Sequence, residues 1–256
     1  MLSNPVIETL MNRRSVRRFS EKDPGQDVVE TVVRAGQQAP FAAQMGSLIL
    51  SRQRKTNPFH APLLFTVCAD VHRLEKVIEK RGWKRVSGDG AILLFAIQDA
   101  AYMAQNMVIA AESLEMASCY LGSAPFAARQ LVGAYALPPH VYPIVQLAMG
   151  YPEEDSKPRP RYPISFTLFE ERYPSFEERD LDEAMRVMDE GYLAQDYYRD
   201  FRVPLEEGRE ETYTRETYSW TEHMGRKWGQ WLKDPKEFHD GLSACGFDLC
   251  ASEGRD

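Results

Sequence analysis

No stretch of this 256-residue sequence is an unbroken apolar run long enough to cross a bilayer. The N-terminus, MLSNPVIETLMNRR, places its basic pair after the apolar positions, the wrong order for a secretory leader, so a cytoplasmic protein is expected. Cysteine is sparse: Cys68, Cys119, Cys245 and Cys250 are scattered, with no C-x-x-C and no clustered histidines. Neither a disulfide framework nor a metal site is expected from such spacing. Positive charge is also short, with 31 Lys and Arg against 38 Asp and Glu and a net charge of −7. That balance excludes the broad basic surface on which nonspecific nucleic-acid binding depends. Against this deficit, RRSVRRF (13–19) gathers four arginines into seven positions.

What is present is a folded-protein composition, 43% hydrophobic and 11% aromatic, in a chain long enough for a sizeable core. Up to about residue 163 it reads as helices alternating with short apolar strands. Residues 4–13 read as a helix capped by Asn4 with Pro5 at its first position, and residues 26–38 as an amphipathic one closed by Pro40. SLILS (47–51), LLFTVCA (63–69), SCYLG (118–122) and PIVQLAMG (143–150) read as strands. The segment from Gly90 to Met116 is the most apolar helix, apolar almost all round, which predicts a central position or burial against a partner subunit.

After SKPRPRYP (156–163) the chain turns rich in Glu, Arg, Tyr and Trp and poor in aliphatics. DLDEAMRVMDEGYLAQDYYRD and YSWTEHMGRKWGQWL read as helices, the second with a face of Trp220, Trp228 and Trp231 that is read as packing. The expectation is a single domain over 1–256, with 164–256 too thin in aliphatics for its own core and wrapping the body or a partner subunit.

RRSVRRF alone is accounted for as the basic end of the first helix, complementing its dipole. A second basic cluster, Lys157, Arg159 and Arg161, changes that reading. Pro158 and Pro160 hold it extended, so two rigid basic pieces could close around one phosphate, with Ser15 as a neutral donor.

The order of several motifs resembles the FMN-dependent nitroreductases, closest to the NADPH-dependent oxygen-insensitive group that includes flavin reductases. RRSVRRF stands for the family's Arg/His-Arg-Ser-x-Arg-x-Phe/Tyr, and AGQQAP (35–40) for its Ala-x-x-Ala-Pro/Ser. AYMAQNMVIAAESLEM followed by CYLGS is similar to Ala-Gln-Asn-x-x-x-Ala-Ala-Glu-Ser-Leu-Gly and its glycine turn. LPPHVYPIVQLAMGYP with KPRPRYP, and TYSWTEHM (217–224), match later pieces, so the resemblance spans nearly the whole chain.

The resemblance implies an α+β fold, an antiparallel-dominated central sheet flanked by helices, in an intertwined homodimer with FMN at the interface. It implies NADPH or NADH as donor and a small-molecule acceptor (nitroaromatic, quinone or flavin), with no nucleic-acid or membrane partner. Carried over, the phosphate and ribityl contacts fall on Arg13, Arg14, Ser15 and Arg17, with Lys157 and Arg159 as the second group. Gly122 and Ser123 occupy the turn whose backbone N–H faces the flavin N5, and no side chain is expected to be catalytic.

Three departures touch the pocket walls. PheAlaAlaGln replaces a serine pair, leaving Gln44 as the polar contact; Gly122-Ser123-Ala124-Pro125 lacks the group's arginine; and only RQRKTNPFHAP separates the first two strands. The leading expectation is an NAD(P)H oxidoreductase working by ping-pong hydride transfer. The alternatives are a flavin-binding protein without turnover and a specialised member, reductive dehalogenase-like, with an altered pocket. Glu112 and Gln105 are read as interface hydrogen-bonding groups and the five histidines as structural or exposed, His60 beside Phe59 being the one to watch. Arg202, Arg209 and Arg215 lie where the group binds the NADPH 2′-phosphate, and are read as solvated.

Overall fold

The structure, a computed structural model, describes residues 2–230 and 235–249. The chain divides into two compact units, one of Met1–Ser156 and Asp234–Asp256, the other of Lys157–Lys233. Among the described residues there are four strands and eight α-helices. The expected Trp231 and Cys250 fall outside the described residues.

The first unit is built on an antiparallel sheet of order β1-β2-β4-β3, with β1 Gly46–Ser51, β2 Leu63–Asp70, β3 Ala117–Leu121 and β4 Val141–Gly150. The α+β, antiparallel expectation is borne out. LLFTVCAD occupies a central position with every residue buried, which explains a continuous apolar run in place of alternation. Pro143 is accommodated inside β4 because it faces Cys68 where the β2–β4 register shifts, a place where a missing N–H costs least.

Helix α4 (Asp89–Ser113) packs against α2 (Gln26–Gln37) and the sheet, and its Ala100, Ala104, Met107, Val108 and Ala111 are buried in the main core with Phe65, Val67 and Leu147. Gly36 of α2 lets the two helices touch: a Cβ there would lie 2.6 Å from Met107 Cγ. By length and composition alone the 25-residue α4 is long and apolar enough to cross a membrane, which the sequence reading did not expect of any segment; its Leu93, Ala96, Ala100 and Met107 are buried in the core of the first unit.

RRSVRRF is not the end of a helix, another correction. Helix α1 (Pro5–Asn12) is capped by Asn4 Oδ1 as expected, but it stops before the arginines, and Arg13 leaves it with ψ 130°. Extension wins because Val16 and Phe19 are then buried, at 0% and 6% exposure, against Ala61, Leu64, Ala117 and Ala148. The short helices α3 (His72–Lys80), α5 (Ala128–Tyr135) and α8 (Pro235–Ala244) were not anticipated from the sequence.

The second unit carries α6 (Glu178–Leu193) and α7 (Trp220–Gly229). Contrary to expectation it has a core of its own, made from aromatics: Met188, Tyr192, Tyr198 and Tyr218, with Tyr197 and Trp220 packed against them. Tyrosine supplies the buried area that aliphatics do not. Arg226 is buried beneath it, bonded twice to Glu211 at 2.7 Å and once to Glu222 at 2.7 Å. Trp228 is exposed, so the tryptophans do not form one packed face.

Candidate functional site

The arginine segment is threaded beside the end of the sheet. Ser15 forms a parallel bridge with Ser118 of β3, and Val16 N–H donates to the Ser118 carbonyl at 3.0 Å. Ser20 N–H donates to the Tyr151 carbonyl at 2.9 Å and Glu153 N–H to that of Arg18 at 3.0 Å, tying the other end to the exit of β4. Sequence reasoning missed Glu154. Its Oε1 accepts the Arg17 backbone N–H at 2.6 Å, and its Oε2 lies 3.7 Å from Arg18 Nε. Burial pushes that carboxyl up, but hydrogen bonds from the Arg17 backbone, Ser156 and the Arg18 backbone, with the Arg18 charge, hold it below the usual range. The signal was the acidic run Glu153-Glu154-Asp155, one serine before KPRPR.

Glu154 thus serves Arg18 and the backbone, and among the described residues no carboxylate forms an ion pair with Arg13, Arg14 or Arg17. Arg13 Nη1 and Arg14 Nε are buried without a hydrogen-bond partner. Glu112, on the last turns of α4, shares a cleft of about 550 Å³ with Arg14, Glu8 and Glu115. Its Oε1 is likewise buried and unpartnered, and burial pushes the carboxyl up to about 7 against the pull of Arg13 and Arg14. Gln105 accepts a long hydrogen bond from Tyr120 OH at 3.4 Å.

From the Ser118 bridge, β3 and the turn after it reach Gly122 in four residues, about 13 Å at a strand's rise per residue, with Ser123 next. The two are exposed in the turn after the strand, and their N–H groups meet no acceptor among the described residues. A Cβ added to Gly122 would have nothing within 4 Å, so the space over the turn is open.

Gln44 stands elsewhere in the first unit, in the loop after α2. It lines a depression with Phe41, Arg73, Asp99 and Met103. Lys157 and Arg159 belong to the second unit. Lys157 is exposed, while Arg159 Nη1 donates to Gln195 Oε1 at 2.7 Å and its guanidinium lies 3.8 Å over the Tyr197 ring. Arg13, Arg14, Ser15 and Arg17 are therefore brought together with the β3 edge, and Gln44 occupies a second locus of the same unit.

The other candidates are mostly structural. Arg209 pairs with Glu206 at 2.7 Å and Arg215 with Asp200 at 2.9 Å, both at the surface. Arg202 differs: its Nη2 is buried without a partner, at the edge of a cleft of about 580 Å³ lined by Phe201, Pro204, Leu205 and His223. His223 is buried, stacked 4.4 Å from Tyr198, and His140 meets Glu75 at 2.8 Å. His60 is exposed at the tip of its loop, with φ 50°.

An anionic phosphate fits the arginine segment. Among the described residues Arg13, Arg14 and Arg17 form no ion pair, Arg13 Nη1 and Arg14 Nε are buried without a partner, and the unpaired N–H groups of Gly122 and Ser123 follow the neighbouring strand β3. A flavin mononucleotide presents this combination, a charged phosphate at one end and a polar ring edge at the other.

No family model matches the chain. It is 27% identical over 213 residues to the FMN reductase (NADPH) of Bacillus subtilis, covering 77% of this chain and 84% of that one. It is 26% identical over 205 residues to the oxygen-insensitive NADPH nitroreductase of Salmonella typhimurium, covering 74% and 83%. The NfrA1 nitroreductase structure from Bacillus subtilis superimposes with a TM-score of 0.79 at 26% identity, covering 94% of this chain and 98% of that one. The resemblance carried by the motifs is borne out in both sequence and fold.

Proposed function

We infer that this chain, which resembles the FMN reductase (NADPH) and NADPH nitroreductase relatives in sequence and the NfrA1 nitroreductase in fold, is an FMN-dependent NAD(P)H oxidoreductase. The observation that carries the reading is the row of unneutralised arginines beside β3, two of them with buried, unpartnered nitrogens. FMN, when bound, would supply the redox chemistry for hydride transfer from NAD(P)H and electron delivery to a small acceptor such as a nitroaromatic, a quinone or free flavin.

The protein's part is to bind and orient. Arg13, Arg14, Ser15 and Arg17 grip the phosphate through charge-assisted bonds. The N–H groups of Gly122 and Ser123 are held ready for negative charge on the ring, a fixed dipole that needs no reorganisation. Gln44 supplies the polar contact that PheAlaAla does not. No side chain is needed as general acid or base.

The working form is a homodimer. On one face of α4, Leu94, Phe95 and Tyr102 are about half exposed, recurring at helical spacing with Ala91, Gln98 and Ala101. Such an apolar stripe on a core helix suits a second copy of the chain. Leu94→Glu is expected to convert a dimeric sedimentation mass to a monomeric one.

The test is the visible spectrum of the purified protein followed by anaerobic NADPH. Flavin absorption that bleaches, and parallel lines in initial-rate plots against donor and acceptor, are expected. Bound flavin that neither NADPH nor NADH bleaches would replace this reading with flavin binding without turnover, and intersecting lines would refute the ping-pong scheme.

A further inference from the structure

Asp99 lies inside α4 and is 4% exposed, an expensive place for a carboxylate. Its charge is met by main chain. Oδ1 accepts the N–H of Ala42 at 2.6 Å, and Oδ2 accepts those of Ala43 and Met45, each at 3.0 Å. Three backbone donors within four residues thus converge on one side chain from a helix more than fifty positions away in sequence.

The carbonyl side of the same loop is held by Arg73. Its Nη2 donates to the Gln44 carbonyl at 3.1 Å and to that of Gly46, while its Nε pairs with Asp70 at 2.8 Å. Between these clamps Gln44 has φ 53°, a left-handed backbone that a side-chain-bearing residue holds only where its surroundings impose it. Packing does little of this work on residues 41–44: Phe41, Ala42 and Gln44 are exposed.

We propose that Asp99 is the positioning residue of the 40–45 loop, fixing through its three backbone bonds where the Gln44 side chain is presented to the flavin. The proposal rests on the flavin reading above. The chain has replaced the usual serines of this stretch by PheAlaAla, so one polar side chain remains to be placed. A rigid loop places it without entropy loss on binding.

The test uses Asp99→Asn, which keeps shape but removes the charge and turns an N–H₂ toward a backbone donor. In the flavin-free protein, hydrogen exchange of the Ala42, Ala43 and Met45 amides is expected to accelerate about tenfold or more, since a charge-assisted bond is lost at each. In FMN titrations followed by flavin fluorescence, Asp99→Asn is expected to bind about tenfold more weakly. In the Gln44→Ala background it should weaken binding no further, because Asp99 acts through Gln44. Val67→Ala, a core variant away from the loop, controls for lost stability. Unchanged amide exchange overturns the proposal, as does an affinity loss matched by Val67→Ala at equal melting temperature, or one additive with Gln44→Ala. Wild-type protein that takes up no FMN overturns the flavin reading itself, whereas normal wild-type binding with an unaffected Asp99→Asn overturns only this inference.

Discussion

Val16 donates its backbone N–H to the Ser118 carbonyl at 3.0 Å, so the arginine segment is fixed alongside the strand that leads to Gly122. The bond matters because it converts a local excess of charge into a directed one. Arg13, Arg14 and Arg17 are displayed from backbone bracketed by the sheet on one side and Glu154 on the other.

Arg17→Ala is expected to weaken FMN binding by about tenfold or more, the worth of one charge-assisted hydrogen bond. Its side chain is exposed and forms no ion pair among the described residues, so the melting temperature of the flavin-free protein should not move. Fluorescence titration at low and high salt, with a melting curve, checks both, and an affinity equal to wild type would remove the phosphate grip from Arg17.

Two glycines should separate binding from folding. Gly122→Ala adds a methyl with nothing within 4 Å, so stability is expected to change by less than ~0.5 kcal/mol while flavin affinity falls. At Gly36 the same methyl would meet Met107 Cγ at 2.6 Å and the Met103 carbonyl at 3.1 Å. Gly36→Ala is therefore expected to cost about 1–3 kcal/mol by overpacking the α2–α4 contact. Urea unfolding and FMN titration on the pair should give opposite rankings.

Glu112 should make stability fall as pH rises. Burial pushes its carboxyl up from 4.5 to about 7 against the opposing pull of Arg13 and Arg14. Between those values the folded chain holds a proton that the unfolded chain has released. The contribution is therefore full below 4.5 and lost as pH rises through about 7. Glu112→Gln is expected to be more stable than wild type at pH 8 by roughly 1 kcal/mol, after allowing for solvent screening, and nearly equal at pH 4. Denaturation curves at the two pH values decide it; a constant difference would mean the carboxyl does not titrate in that window.

The second unit depends on Arg226, which satisfies Glu211 and Glu222 and donates to the Val203 carbonyl at 3.2 Å. Arg226→Ala removes the buried guanidinium that joins Glu211, Glu222 and the Val203 carbonyl and is expected to lower the melting temperature. Lysine cannot reproduce the two parallel bonds to Glu211, so Arg226→Lys should recover only part of the loss. Thermal unfolding of the full chain reads both, and a near-neutral Arg226→Ala would show that the tyrosine cluster holds the unit without it.

Much of the fold was legible in local residues. Asn4-Pro5 marks the start of α1, four apolar runs mark the four strands, and the all-round apolar segment marks the central helix, because capping chemistry and burial leave their trace in adjacent positions. The motif order likewise carried the resemblance to the flavin reductase and nitroreductase relatives. Long-range relations left no such trace. RRSVRRF gave no local sign of being extended, since what extends it is burial of Val16 and Phe19 beside Leu64 and Ala148, far away in the chain. The tyrosine core of the second unit was hidden for the same reason: single aromatics in a charged stretch announce a core only once they meet.

The sequence by itself determined which charges and which motifs this protein carries, and hence the chemistry of the ligand it suits. Tertiary structure decided which of those charges are free. Glu154 claims Arg18, Gln195 and Tyr197 engage Arg159, and Asp99 spends its charge on the loop of Gln44, while Arg13 and Arg14 keep buried nitrogens without partners. Pairing of charges is a matter of distance in space, and a sequence records only distance along the chain.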